Sequence, residues 1–83
     1  MYYCYLARCN DNSLYCGYCK DINEREETHN EGKGAKYTRA RLPIKIVYFE
    51  GYKTRSDAMK REAEVKKWRK QKKEQLITNF KTN

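Results

Sequence analysis

The stretch Tyr2-Tyr3-Cys4-Tyr5-Leu6-Ala7-Arg8-Cys9, then Asn10-Asp11-Asn12, then Ser13-Leu14-Tyr15-Cys16-Gly17-Tyr18-Cys19 sets two alternating, aromatic-rich runs on either side of three Asn/Asp residues. Aromatic residues at a period of two favour half-buried strands. Asn and Asp accept left-handed backbone angles and hydrogen-bond their own backbone, as a short antiparallel connection requires. The stretch therefore predicts a β-hairpin. Tyr5 and Tyr15 share one face of it only if the register has the right parity.

Downstream, Asp21 offers a carboxylate as N-cap, with Glu24 three residues on, and a helix is expected through about Asn30, ended by Gly32. Arg25 and His29, four apart, point to one side of it. Residues 31–43 hold two glycines, a proline and no regular period, and are expected to form a surface loop. Ile44 to Glu50 is β-branched and aromatic, hence a third strand, with Gly51 at its exit. Thr54 or Ser56 caps a helix over about 57–69, and a third helix, or its continuation, carries Leu76, Ile77 and Phe80. The fold class is α+β: a small three-stranded, mainly antiparallel sheet flanked by about three helices, in the order β-β-α-β-α-α.

With 83 residues there is room for one domain, spanning 1–83, and eight tyrosines exclude a disordered tail. The net charge of +8 is unevenly placed: 11 of the 19 Lys/Arg, against four of the 11 Asp/Glu, lie beyond Tyr52, on the helices at about 54–80. Such a surface attracts a polyanion, most commonly nucleic acid. Met1 is followed by no basic leader and no cleavage site, and the apolar runs fall short of the ~20 residues that span a bilayer. The expectation is a cytoplasmic protein without membrane contact. Cys16-x-x-Cys19 has no matching second pair, because Cys4 and Cys9 are five apart, so the four cysteines are expected as reduced, buried strand residues rather than zinc ligands.

On a helical wheel, Glu62 falls within the apolar arc of Ala58, Met59, Ala63 and Val65. A carboxylate there is costly unless paired, hydrogen-bonded or bound to a metal. Lys66, four residues on, supplies the plainer alternative of a surface ion pair.

Taken in order, Tyr3-Cys4-Tyr5, Tyr15-Cys16-Gly17, Arg25, His29 and Glu62 resemble the signature of the GIY-YIG nuclease superfamily over nearly the whole chain. Tyr3 stands in place of the family's first Gly and Cys16 in place of its second Ile. Tyr18 occupies the position where excision-repair relatives carry a Lys. The run from His29-Asn30 through Gly32-Lys33-Gly34-Ala35-Lys36-Tyr37-Thr38 to Pro43, with Lys60-Arg61-Glu62-Ala63, also resembles a small single-domain bacterial subgroup related to the catalytic domain of the excision-repair excinuclease.

The resemblance implies a GIY-YIG fold and a metal-dependent endonuclease that hydrolyses phosphodiester bonds, in DNA before RNA, directed by structure rather than sequence, with a DNA repair role. It implies one Mg²⁺ or Mn²⁺ on Glu62, Arg25 on the scissile phosphate, and Tyr15 as general base. Tyr5 would position the phosphate or the water, with His29 beside the site and Tyr37 in the loop around it. Lys33, Lys36, Arg39 and Arg41, with Lys66, Lys67, Arg69 and Lys70, are the expected phosphate contacts, which carry no base sequence. Trp68 is expected as a core ring rather than a base-stacking platform. Two alternatives stand beside the enzyme: a non-catalytic nucleic-acid-binding module, and a nuclease subunit whose specificity comes from a protein partner.

Overall fold

The computed structural model describes residues 1–81. Strands β1 (Tyr2–Arg8) and β2 (Leu14–Cys19) form the hairpin; α1 (Ile22–Asn30), a single turn α2 (Lys36–Arg39), β3 (Lys45–Tyr52), α3 (Arg55–Lys66) and α4 (Lys70–Lys81) follow. The sheet is antiparallel throughout, in the order β2-β1-β3, so β2 and β3 are its edges. The α+β class and the three-stranded sheet match the expectation.

Local chemistry explains the hairpin turn, both ends of α1 and the start of α3. Asn12 takes the left-handed conformation at φ 70° in the hairpin turn, and Asp11 Oδ1 accepts from the Ser13 amide at 3.0 Å. Asp21 caps α1 by accepting from the Glu24 amide at 3.0 Å, and Gly32 follows the helix at φ 79°. Thr54, rather than Ser56, caps α3, accepting from the Asp57 amide at 3.1 Å.

Alternation along β1 divides the core in two. Cys4 and Leu6 face α3 and α4, packing with Cys16, Val65 and Ile77; Tyr5 and Ala7 face the α1 side with Cys9, Cys19 and Ile44. Full burial of a Leu, Val or Ile side chain contributes about 1.5–3 kcal/mol. All four cysteines are free and buried. Arg8 and Glu74 form a two-pronged ion pair, one arm at 2.7 Å, that ties α4 to β1.

Three expectations are corrected. The segment 31–43 contains α2, a turn too short to leave a period, held by buried Thr38, whose hydroxyl donates to the Ala35 carbonyl at 2.9 Å. Gly51 is not an exit but a paired residue of β3 opposite Tyr3; a Cβ there would stand 2.9 Å from Met1 Sδ. The first basic helix ends at Lys66, short of the expected Arg69, and residues 67–69 separate it from a distinct second helix that begins at Lys70. Trp68 packs half-buried against the α3/α4 core, as expected, with Lys72 Nζ 4.0 Å from its ring centre.

Candidate active site

Register settles the parity question in the hairpin. Tyr5 lies opposite Gly17 and Ala7 opposite Tyr15, so Tyr5 and Tyr15 occupy one face, with ring centroids 6.4 Å apart. That face is covered by α1, which brings Arg25 and His29. On the other face, the Glu62 carbonyl lies over the Cys16 thiol, Sγ to O 3.8 Å. β2 is an edge strand, so helices from opposite faces meet around its open side. There Tyr5, Tyr15, Arg25 and Glu62 line one cleft of about 380 Å³.

The cleft depends on a missing side chain. A Cβ on Gly17 would stand 2.6 Å from the Tyr5 hydroxyl and 3.1 Å from the Tyr15 ring, so only glycine lets the two phenols approach. The Tyr5 hydroxyl lies 2.8 Å from His29 Nε2, and His29 Nδ1 lies 2.9 Å from the Thr38 hydroxyl. Gly34 packs against the imidazole so closely that a Cβ would overlap Nδ1.

His29 is 1% exposed. It does not line the cleft but stands behind Tyr5. Burial, and then the positive charge of Arg25, hold its pKa below the ordinary histidine value, so the ring is neutral near pH 7. Burial pushes the Tyr5 phenol well above its ordinary value. Burial also raises Tyr15, with Lys66 and Arg25 opposing and Glu62 adding to the rise.

Glu62 supports both readings of its place on the wheel. Its side chain is 18% exposed, between buried Ala58 and Val65, and its carboxylate meets Lys66 Nζ only at 3.8 Å. No other ion pair or hydrogen bond reaches that carboxylate among the described residues. Met59 and Ala63 lie outside the buried arc, contrary to the wheel, because the sheet contacts only a narrow stripe of α3.

Tyr37 stacks on Tyr15 at 6.1 Å and 22°, and the Arg41 guanidinium lies 3.9 Å from the centre of the Tyr37 ring. Arg41 is thus committed to Tyr37, to its carbonyl at 2.8 Å and to Asp11 at 3.0 Å, rather than free for phosphate. Lys36, Arg39, Lys67 and Arg69 are exposed; Lys33 and Lys70 lie 3.9 Å from Glu31 and Glu74.

Sequence reasoning missed Lys20 and Arg55, which also line the cleft, the latter donating to the Tyr18 hydroxyl at 3.2 Å. Both are basic residues immediately beyond a strand or a helix cap, a position that alone does not set them apart. It also missed Gly34 and Thr38, although both stand in the run already singled out.

A model of the GIY-YIG catalytic domain matches residues 1–75. A UPF0213 protein of Staphylococcus aureus strain Mu3 is 53% identical over 76 residues, covering 92% of this chain and 93% of its own length. The solution structure of a UPF0213 protein from Bacillus halodurans is 43% identical with a TM-score of 0.58, over 94% of this chain and 84% of that one. An E. faecalis protein, also solved in solution, is 39% identical with a TM-score of 0.62, over 99% of this chain and 88% of its own.

Proposed function

Because this chain belongs to the GIY-YIG catalytic domain family, we propose that it is a metal-dependent endonuclease that hydrolyses phosphodiester bonds in DNA, selecting structure rather than sequence. The observation that carries this reading is the convergence of Tyr15, Arg25 and Glu62, from three separate elements, on one cleft at the open edge of β2.

Hydrolysis requires a nucleophilic water, neutralisation of charge on the phosphoryl group and relief of charge on the departing oxygen. Arg25 is exposed at the cleft and forms no ion pair among the described residues, so its planar fork is free to grip the scissile phosphate. Tyr15 stands beside that position to take a proton from the water. Its raised pKa makes the reaction favour alkaline pH, since less of the phenol is ionised at neutrality. Lys66 and Arg25 are the two cations that favour its ionised form.

Glu62 fits a hard divalent ion. A half-buried carboxylate with one weak partner has oxygens to give, and Mg²⁺ or Mn²⁺ keeps several waters, so one protein ligand plus phosphate oxygens suffices. The ion, when bound, supplies Lewis acidity at the phosphoryl oxygens. Lys20 and Arg55 on the cleft wall, with Lys36, Arg39, Lys67 and Arg69 outside it, would hold flanking phosphates. DNA as substrate and a role in repair are what the resemblance to the excision-repair excinuclease implies; a protein partner that supplies specificity remains the alternative that the small size of the chain suggests.

The test is incubation of the purified protein with single-stranded, duplex, flap and branched DNA, with Mg²⁺, Mn²⁺ or EDTA. Cleavage of a structured substrate that EDTA abolishes is the expected result. Tight binding to all four with no cleavage under any ion would replace the enzyme with a binding module.

A further inference from the structure

The hydrogen-bond chain behind the cleft has a direction, and the direction follows from counting protons. The Ala35 carbonyl can only accept, so the single hydroxyl hydrogen of Thr38 is spent on it at 2.9 Å. Thr38 Oγ1 must then accept from His29, 2.9 Å away, which places the imidazole proton on Nδ1. A neutral ring with Nδ1 protonated has a bare Nε2, and the hydrogen in the 2.8 Å contact with Tyr5 can come only from the phenol. Reversing the chain would set lone pairs of Thr38 Oγ1 against the Ala35 carbonyl at 2.9 Å, beside three side chains, Tyr5, His29 and Thr38, that are at most 1% exposed. No buried side-chain nitrogen or oxygen lacks a partner among the described residues, and this arrangement places one hydrogen in each of the three links.

We infer that Thr38 is a positioning residue: by fixing His29 in the Nδ1–H tautomer, it keeps the Tyr5 hydroxyl donating inward and presents only its lone pairs to the cleft. This rests on the nuclease reading for its consequence. Phosphate oxygens carry no hydrogen, so an oxygen with its proton turned away has nothing to offer them. A water does have hydrogens to donate. Tyr5 therefore orients the attacking water and does not hold the phosphate, which resolves the two roles its sequence position left open and leaves Arg25 as the phosphate grip. Gly34 belongs to the same device, because a side chain there would displace Nδ1 from Thr38.

The tautomer can be read without any activity, by long-range proton–nitrogen NMR of the single histidine in the intact protein. A protonated Nδ1 and bare Nε2 are expected; the opposite tautomer, or a rapidly exchanging mixture, overturns the inference whatever the nuclease assay shows. Thr38→Val, which keeps the shape and loses the hydroxyl, should release the tautomer and lower kcat roughly 10- to 100-fold, as loss of an orienting partner does. Kd for DNA should be unchanged, and Thr38→Ser should restore both the tautomer and most of kcat. A Thr38→Val protein with the wild-type tautomer also overturns the inference. If the tautomer is as expected but no variant, wild type included, cleaves DNA, the device stands and the nuclease reading fails.

Discussion

His29 is the one histidine of the chain, and its burial makes it a neutral ring in the folded state with a pKa below 6.5. The sign of its effect on stability is fixed. As pH falls below about 6.5 the unfolded chain takes up a proton that the folded chain refuses, so unfolding becomes easier. The contribution is complete above that pH and is lost as pH falls toward the folded value. Asp11 and Glu50, whose pKa values are also lowered, act only below the ordinary carboxylate range, so the window from about pH 6.5 to 5 belongs to His29. Thermal melts should show Tm falling through that window in the wild type and staying flat there in His29→Gln; equal slopes in both would place the imidazole in solvent. Arg25 and His29 were legible as a pair from their spacing of four, but the Tyr5 partner was not, because it depends on strand register and on which helix covers which face. Gly17 was legible as a motif residue; the reason for it, the 2.6 Å approach of the Tyr5 hydroxyl, was not.

At the scale of elements, α1 has His29 as its one fully buried residue and is otherwise anchored by half-buried Ile22 and, toward its C-terminal end, by the bonds of Glu26 and Asn30 to Ile46 and Ile44. The first turn depends on Ile22 and on the Asp21 cap, since the polar anchors lie further along the helix. Asp21→Ala should cost about 1 kcal/mol of stability and loosen the first turn, where Arg25 donates its amide to the Asp21 carbonyl at 3.0 Å. Urea unfolding checks the first effect, and an unchanged midpoint would mean that packing rather than the cap holds the helix. This cap, the Asn12 turn and the Thr54 cap were all readable in sequence because each is a local hydrogen bond between near neighbours. The single turn α2 was not, since four residues contain too little period to detect and its anchor, Thr38, bonds to a different helix. Glu62 lay between: the wheel placed it near the apolar stripe, but Met59 and Ala63 proved exposed because the sheet edge covers only part of that arc.

For the molecule as a whole, the sequence located the cationic surface but not the cleft, which exists only where helices from opposite faces meet at the open side of β2. None of the described helices is long and apolar enough to cross a membrane. On the proposed function the charge excess serves binding without base selectivity and Arg25, Tyr15 and Glu62 serve chemistry, two roles that are separable by experiment. The most direct measurement is single-turnover cleavage of a structured DNA by Glu62→Gln beside wild type, with DNA affinity measured on both in the same Mg²⁺ buffer. Glu62→Gln should bind as tightly as wild type while its cleavage falls by at least about a hundredfold, the scale of losing one charge-stabilising group at a reacting centre. Wild-type cleavage rates in Glu62→Gln would contradict the placing of the reaction in this cleft.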